Sequence, residues 1–157
     1  MIKIEEELKY VSNITTNIKK GCYMPYVYGV IINPHNGQQN KVAQLFLVDT
    51  GAAITILNRS FDFLFKGNQT PIIDNMPIQY GRSLLSDGKP VSVVLPIYNL
   101  KLKIKGFEFD IHAAYDKNIA THSLLGHLGF LNNFAHLGIS QKRHKLTLIK
   151  EEGNNYA

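Results

Sequence analysis

"FLVDTGAAITIL", residues Phe46 to Leu57, sets one carboxylate inside what otherwise reads as core. Burying an ionised aspartate costs roughly several kcal/mol unless hydrogen-bond donors surround it. The tight Asp49-Thr50-Gly51 turn supplies such donors, since its backbone N–H groups can converge on the carboxylate. Gly51 has no side chain, so backbone and substrate can approach closely. Thr50 adds a hydroxyl able to donate to a neighbouring main chain. Two turns of this kind, face to face, would hold two carboxylates a few ångströms apart. Like charges that close cannot both ionise, so the pair shares a proton. An acid and a base with a water between them are the machinery of peptide hydrolysis without a covalent intermediate.

The surrounding sequence supplies strands. Upstream, "YVYGVIIN" and "KVAQLFLV" are β-branched and aromatic runs separated by "PHNGQQ", which predicts a hairpin ending at Asp49. Downstream, "ITIL" continues as a third strand. Asn58 is placed to cap a short helix, RSFDFLFK, with Gly67 as its terminating glycine. The segment from Asn68 to Pro77 reads as a loop. "IQYGRSLL", the turn "SDGKP" and "VSVVLPIYNL" follow, then the strictly alternating "LKLKIKG" and "FEFDIHAAY". "SLLGHLGFLNNF" contains a helix-compatible stretch, and "HKLTLIK" closes the chain as a strand. Strand after strand with short turns predicts an all-β, barrel-like fold. At the start of the chain, Ile4, Leu8, Val11 and Ile18 allow a short helix.

Composition narrows the function. The chain has 157 residues, 45% hydrophobic and 18% charged, which fits one globular domain. A net charge of +5 favours acidic partners only weakly. Lys101, Lys103 and Lys105 read as one solvated strand face, because no exposed aromatics interleave with them as a nucleic-acid surface would need. The lone cysteine, Cys22, excludes an intrachain disulfide and a cysteine-based metal site. The six histidines, His122 and His127 among them, show no metal-ligand spacing. No GxSxG or P-loop is present. MIKIEEELKY has no apolar core of a secretory signal, and the run from Cys22 to Asn33 is too short to span a bilayer. The expectation is a cytoplasmic protein with no metal, no cofactor, no membrane and no nucleic acid.

Asp49-Thr50-Gly51-Ala52 after "LFLV", with Leu124-Leu125-Gly126 downstream, resembles the retropepsin-like (retroviral-type) aspartic proteases. "LLGHLGFLNNF" is similar to that family's step from an apolar pair and glycine into a single helix. The resemblance covers residues 23 to 150, leaving 1–22 as an N-terminal extension and 151–157 as a tail. It implies a single-domain closed β-barrel with one short C-terminal helix, and a free-standing cellular or bacterial-type member.

The resemblance also implies a homodimer acting on peptide or protein substrates, each subunit giving one Asp49. None of Asp62, Asp74, Asp87, Asp110 and Asp116 stands in a second such motif, so the missing carboxylate must come from another copy. By the same resemblance Thr50 braces the two active-site loops, and Leu124, Leu125 and Gly126 pack beneath them. The flap falls on "IQYGRSLLSDGKPV", its tip near Tyr80, Gly81, Arg82 and Ser83. His127 and Leu128 stand where the family usually has an arginine and a polar residue, so its usual ion pair does not carry over from the resemblance. Ala52 stands where pepsin-like lobes usually have a serine, whose hydroxyl would favour the charged carboxylate; its absence predicts activity at mildly acidic to neutral pH. The alternative is an inactive dimeric module that binds peptide on the same fold.

Overall fold

The computed structural model describes residues 1–11, 21–65, 71–82, 90–119 and 121–151. Its strands are β1 (Ile2–Glu7), β2 (Lys9–Val11), β3 (Cys22–Met24), β4 (Tyr26–Ile32), β5 (Gln44–Val48) and β6 (Thr55–Leu57). They continue as β7 (Ile73–Arg82), β8 (Pro90–Ile104), β9 (Phe107–Tyr115), β10 (Ser123–Leu125), β11 (His136–Ser140) and β12 (Lys145–Lys150). The chain is all-β, as its sequence predicts.

Six strands close a barrel in the order β4-β5-β10-β6-β9-β8, with β8 pairing back onto β4 through Ile31 opposite Leu102. Closure removes the open edges that a flat sheet would leave. β7 extends from β8 as a long hairpin, and β12 carries β1 and β11 on its two sides. The predicted β4/β5 hairpin is present, Val27 opposite Phe46. Its long connection is held by buried Asn40, whose Oδ1 accepts from Ile31 N at 2.6 Å. Lys105 and Gly106, both at positive φ, make the two-residue turn between β8 and β9.

The apolar setting of Asp49 follows from the two cores. One fills the barrel, with Phe46, Val48, Leu57, Leu102, Ile111 and Leu125 among its members. The other, Ile54, Ile56, Ile78, Leu95, Ile97 and Ala114, lies on the opposite side of the same strands. All three residues of β6 are buried. A strand covered on both faces reads as a continuous apolar run rather than an alternating one, which is why "ITIL" shows no polar positions except Thr55.

Two sequence-based expectations change. The described part of the N-terminal segment is strand, not helix: β1 pairs with β12 from Ile2 opposite Lys150 to Glu7 opposite Lys145, while Ile18 lies outside the described residues. The spacing of Ile4 and Leu8 suits either structure, and pairing with the far end of the chain decides it. Both residues are buried in the barrel core, so this segment packs with the barrel. Strand also replaces part of the expected loop, since β7 begins at Ile73. Pro77 is tolerated there because β7 lies at the sheet edge. The expected short C-terminal helix is present as a 3-10 turn, Leu131–Asn133, and β11, which the sequence did not indicate, follows it.

Asn58 caps as predicted, its Oδ1 accepting from Ser60 N at 3.1 Å, although the helix Arg59–Phe65 is also 3-10. Gly67 lies outside the described residues. Among those residues no helix is long and apolar enough to cross a membrane.

Tyr115 ties β9 to this 3-10 segment by donating to Asp62 Oδ1 at 3.0 Å. Burial first, and then the bond to Asp62, push its phenol from 10.0 up to about 12. The folded state therefore keeps a proton that the unfolded chain releases. Stability should hold up to about pH 10 and fall as the pH rises towards about 12. Tyr115→Phe should flatten part of that fall in urea titrations across the same range. An unchanged slope would refute the assignment.

Candidate active site

Asp49 leaves the end of β5 and enters a turn held from both sides. β10 lies between the two arms of that turn, parallel to β5 (Val48 opposite Leu125) and antiparallel to β6 (Leu124 opposite Ile56). Asp49 N donates to Leu125 O at 3.0 Å, and Ala52 N donates to Asp49 O at 3.1 Å. Beyond Leu125 the chain continues to clamp the loop. His127 N donates to Ala52 O and Leu128 N to Ala53 O, each at 2.9 Å.

The carboxylate is half-buried, and its Oδ1 accepts from Gly51 N at 2.8 Å. A Cβ on Gly51 would stand 3.2 Å from that oxygen, so a side chain here would crowd the group. Ala52 adds no donor. The carboxylate opens onto a cleft of about 460 Å³. Ile54, Ile56, Leu124 and Leu128 line it from the barrel, and Met76, Pro77 and Ile78 from the β7 hairpin. Apolar walls around one carboxylate suit an extended, largely apolar ligand held beside an acid–base group.

The other sequence-predicted residues divide. Thr50 is exposed at the outside of the turn. Leu124 lines the cleft, Leu125 joins the barrel core, and Gly126 is buried under the turn. Tyr80, Gly81 and Arg82 lie on β7 near the end of the hairpin, with Tyr80 opposite Val91 and an irregular register before Arg82. Ser83 and the rest of the expected tip lie outside the described residues. Among the described residues no group of three or more His, Cys, Asp and Glu is close enough to hold a metal ion.

In the solved structures, the chain is similar to a retropepsin-like aspartic protease from Rickettsia conorii, with a TM-score of 0.52 and 19% sequence identity over 94% of this chain and 91% of that one. The two share a fold. No family model matches the sequence, and no curated protein does.

Two residues that sequence reasoning missed hold the site. Thr55 Oγ1 accepts from Gly126 N and donates to Leu128 O, both at 3.2 Å, inside the protein. His127 Nε2 lies 2.6 Å from Thr50 O, and because a carbonyl only accepts, that nitrogen carries the proton. The His127 side chain thus braces the turn that carries Asp49. His127→Ala should speed amide exchange at Gly51 and Ala52 about fivefold, the worth of one net hydrogen bond, with little change in melting temperature. Unchanged exchange would show that the brace is idle.

Proposed function

We propose that this protein is an aspartic endopeptidase, active as a homodimer in which the two Asp49 carboxylates share a proton and activate one water. The observation that carries this reading is a half-buried carboxylate on an Asp-Thr-Gly turn, facing an apolar cleft that a long hairpin walls on one side. The fold shared with a retropepsin-like protease supports it. The ionised Asp49 takes a proton from the water as its oxygen attacks the scissile carbonyl carbon. The protonated Asp49 of the other subunit gives its proton to the carbonyl oxygen. When the tetrahedral intermediate collapses, the C–N bond breaks and the amine leaves with a proton returned by the dyad. The cleft lining favours apolar side chains beside the cut bond.

Incubation with a broad library of unstructured peptides from mildly acidic to neutral pH tests the reading. Cleavage that a statine-type transition-state mimic blocks is the expected result. An uncut library over the whole range would sink it. A pH–rate profile peaking well below about pH 4, the range of an ordinary carboxyl, would overturn the role given to Ala52.

A further inference from the structure

Three rings stand in a row on one side of the short β2–β3 ribbon. Tyr10 lies directly opposite Tyr23 in that pair, so both side chains share a face. Their rings meet edge to face at 5.4 Å, and His144 stacks flat on Tyr23 at 3.6 Å and 11°. His144 comes from the turn between β11 and β12, which is tied to the residue before β2 by Leu8 N donating to His144 O at 2.8 Å. Tyr23 packs partly against the barrel core, but Tyr10 is 58% exposed. Its ring is nonetheless fixed, since Gly21 N donates to the Tyr10 hydroxyl at 3.0 Å. A ring held still in solvent is prepared for a flat ligand, because the entropy of ordering it is already lost.

The turn that supplies His144 is basic, reading Gln-Lys-Arg-His-Lys from Gln141 to Lys145. Lys145 stands opposite Glu7 on β1, which offsets part of its charge. Glu5 and Glu6, farther along β1, face Lys3 at 3.2 Å and Lys105 at 3.7 Å. Lys142 and Arg143 are exposed, and among the described residues neither forms an ion pair. On the other face of the ribbon Lys9 Nζ sits 5.3 Å over the ring of Tyr28, so that exposed tyrosine already carries a cation.

An open ring beside unpaired cations matches one strand of nucleic acid, whose bases stack on aromatics while its phosphates meet the charges. An acidic peptide would use the cations and leave the Tyr10 ring idle. A duplex, its bases already stacked on one another, would do the same. The sequence hides this pairing, because Tyr10 and Tyr23 lie near one end of the chain and residues 141–145 near the other.

We propose that the row Tyr10, Tyr23 and His144, with Lys142 and Arg143 beside it, is a binding surface for single-stranded nucleic acid. Bases stack on the Tyr10 end of the row and phosphates lie against Lys142 and Arg143. Every base has a face to stack, so sequence preference is weak. None of these five residues lines the cleft at Asp49, and the surface stands or falls independently of the peptidase reading.

Fluorescence anisotropy of the full chain with labelled oligo(dT) and oligo(U), each of about 12 nucleotides, at about 50 mM and about 200 mM salt tests the proposal. Both should bind, more weakly at the higher salt, and a preference for one names DNA or RNA as the ligand. Tyr10→Ala should weaken binding about tenfold with the salt dependence unchanged, whereas Tyr10→Phe keeps the ring and should bind like wild type. Lys142→Gln with Arg143→Gln should make the slope of log affinity against log salt shallower by about 1.4, two phosphates at about 0.7 each. Tyr28→Ala, off the proposed face, should bind like wild type. No binding of either oligonucleotide at the lower salt, or a natively folded Tyr10→Ala protein that binds as tightly as wild type, would overturn the proposal. If Tyr10→Ala loses the native circular dichroism spectrum, the double-glutamine variant decides, and an unchanged slope overturns it. Poly-glutamate competing as well as the oligonucleotides would assign the surface to acidic polypeptides instead. Equally tight binding of a duplex of the same length would reduce it to charge attraction alone, and the base-stacking surface would fall.

Discussion

Asp49→Asn should abolish peptide hydrolysis, lowering kcat by at least about 10³-fold, with melting temperature and subunit association unchanged. The substitution keeps the size of the side chain. Its amide oxygen can still accept from Gly51 N, the contact that fixes the carboxylate in the turn at 2.8 Å. What is lost is the ability to take and return a proton. A structural aspartate would give the opposite pattern, with stability affected and no activity to lose. Mixing the variant with wild type sharpens the test. At equal amounts and with free subunit exchange, about one quarter of the dimers carry two Asp49 carboxylates. Activity should fall to about that quarter and not merely in proportion to dilution. A proportional fall would mean that each subunit works alone, and the shared dyad would have to be abandoned.

The residues to which this chemistry is assigned were legible because the turn is local. Asp49, Thr50 and Gly51 are adjacent in sequence, and the apolar runs on both sides mark the strands that deliver and receive the turn, the second of them buried on both faces. The clamp on the turn was not legible in the same way. Thr55 and Gly126 meet across 71 residues, and His127 reaches Thr50 across 77. Neither pairing leaves a periodic trace, although the Thr within "ITIL" was the one polar residue in a buried strand and so the available signal. The N-terminal segment misled for a related reason, since its strand partner β12 is at the other end of the chain. β11 escaped notice because four of its five residues are exposed.

Gly126→Ala should be the most damaging of the conservative substitutions, costing about 3 kcal/mol in urea unfolding. An added Cβ would stand 2.4 Å from Ile54 O, 2.6 Å from Ile54 C and 2.7 Å from Ala52 O. All three are backbone atoms, so no side-chain rotation can relieve the clash. The two chain segments that cross here would have to separate. Those segments are also the clamp: Gly126 N donates to Thr55 Oγ1, and Gly126 O accepts from Leu131 N at 2.9 Å. Moving them apart pulls His127 from Ala52 O and loosens the loop that begins at Asp49, so activity should fall along with stability. Gly138→Ala provides the internal comparison, being a glycine on a strand with open space around its Cβ, and should change stability by less than about 0.5 kcal/mol. If the two alanines prove equally harmless, the close crossing of Gly126 beneath the turn is not what holds Asp49 in place, and the rigidity assigned to the site would have to come from Thr55 and His127 alone.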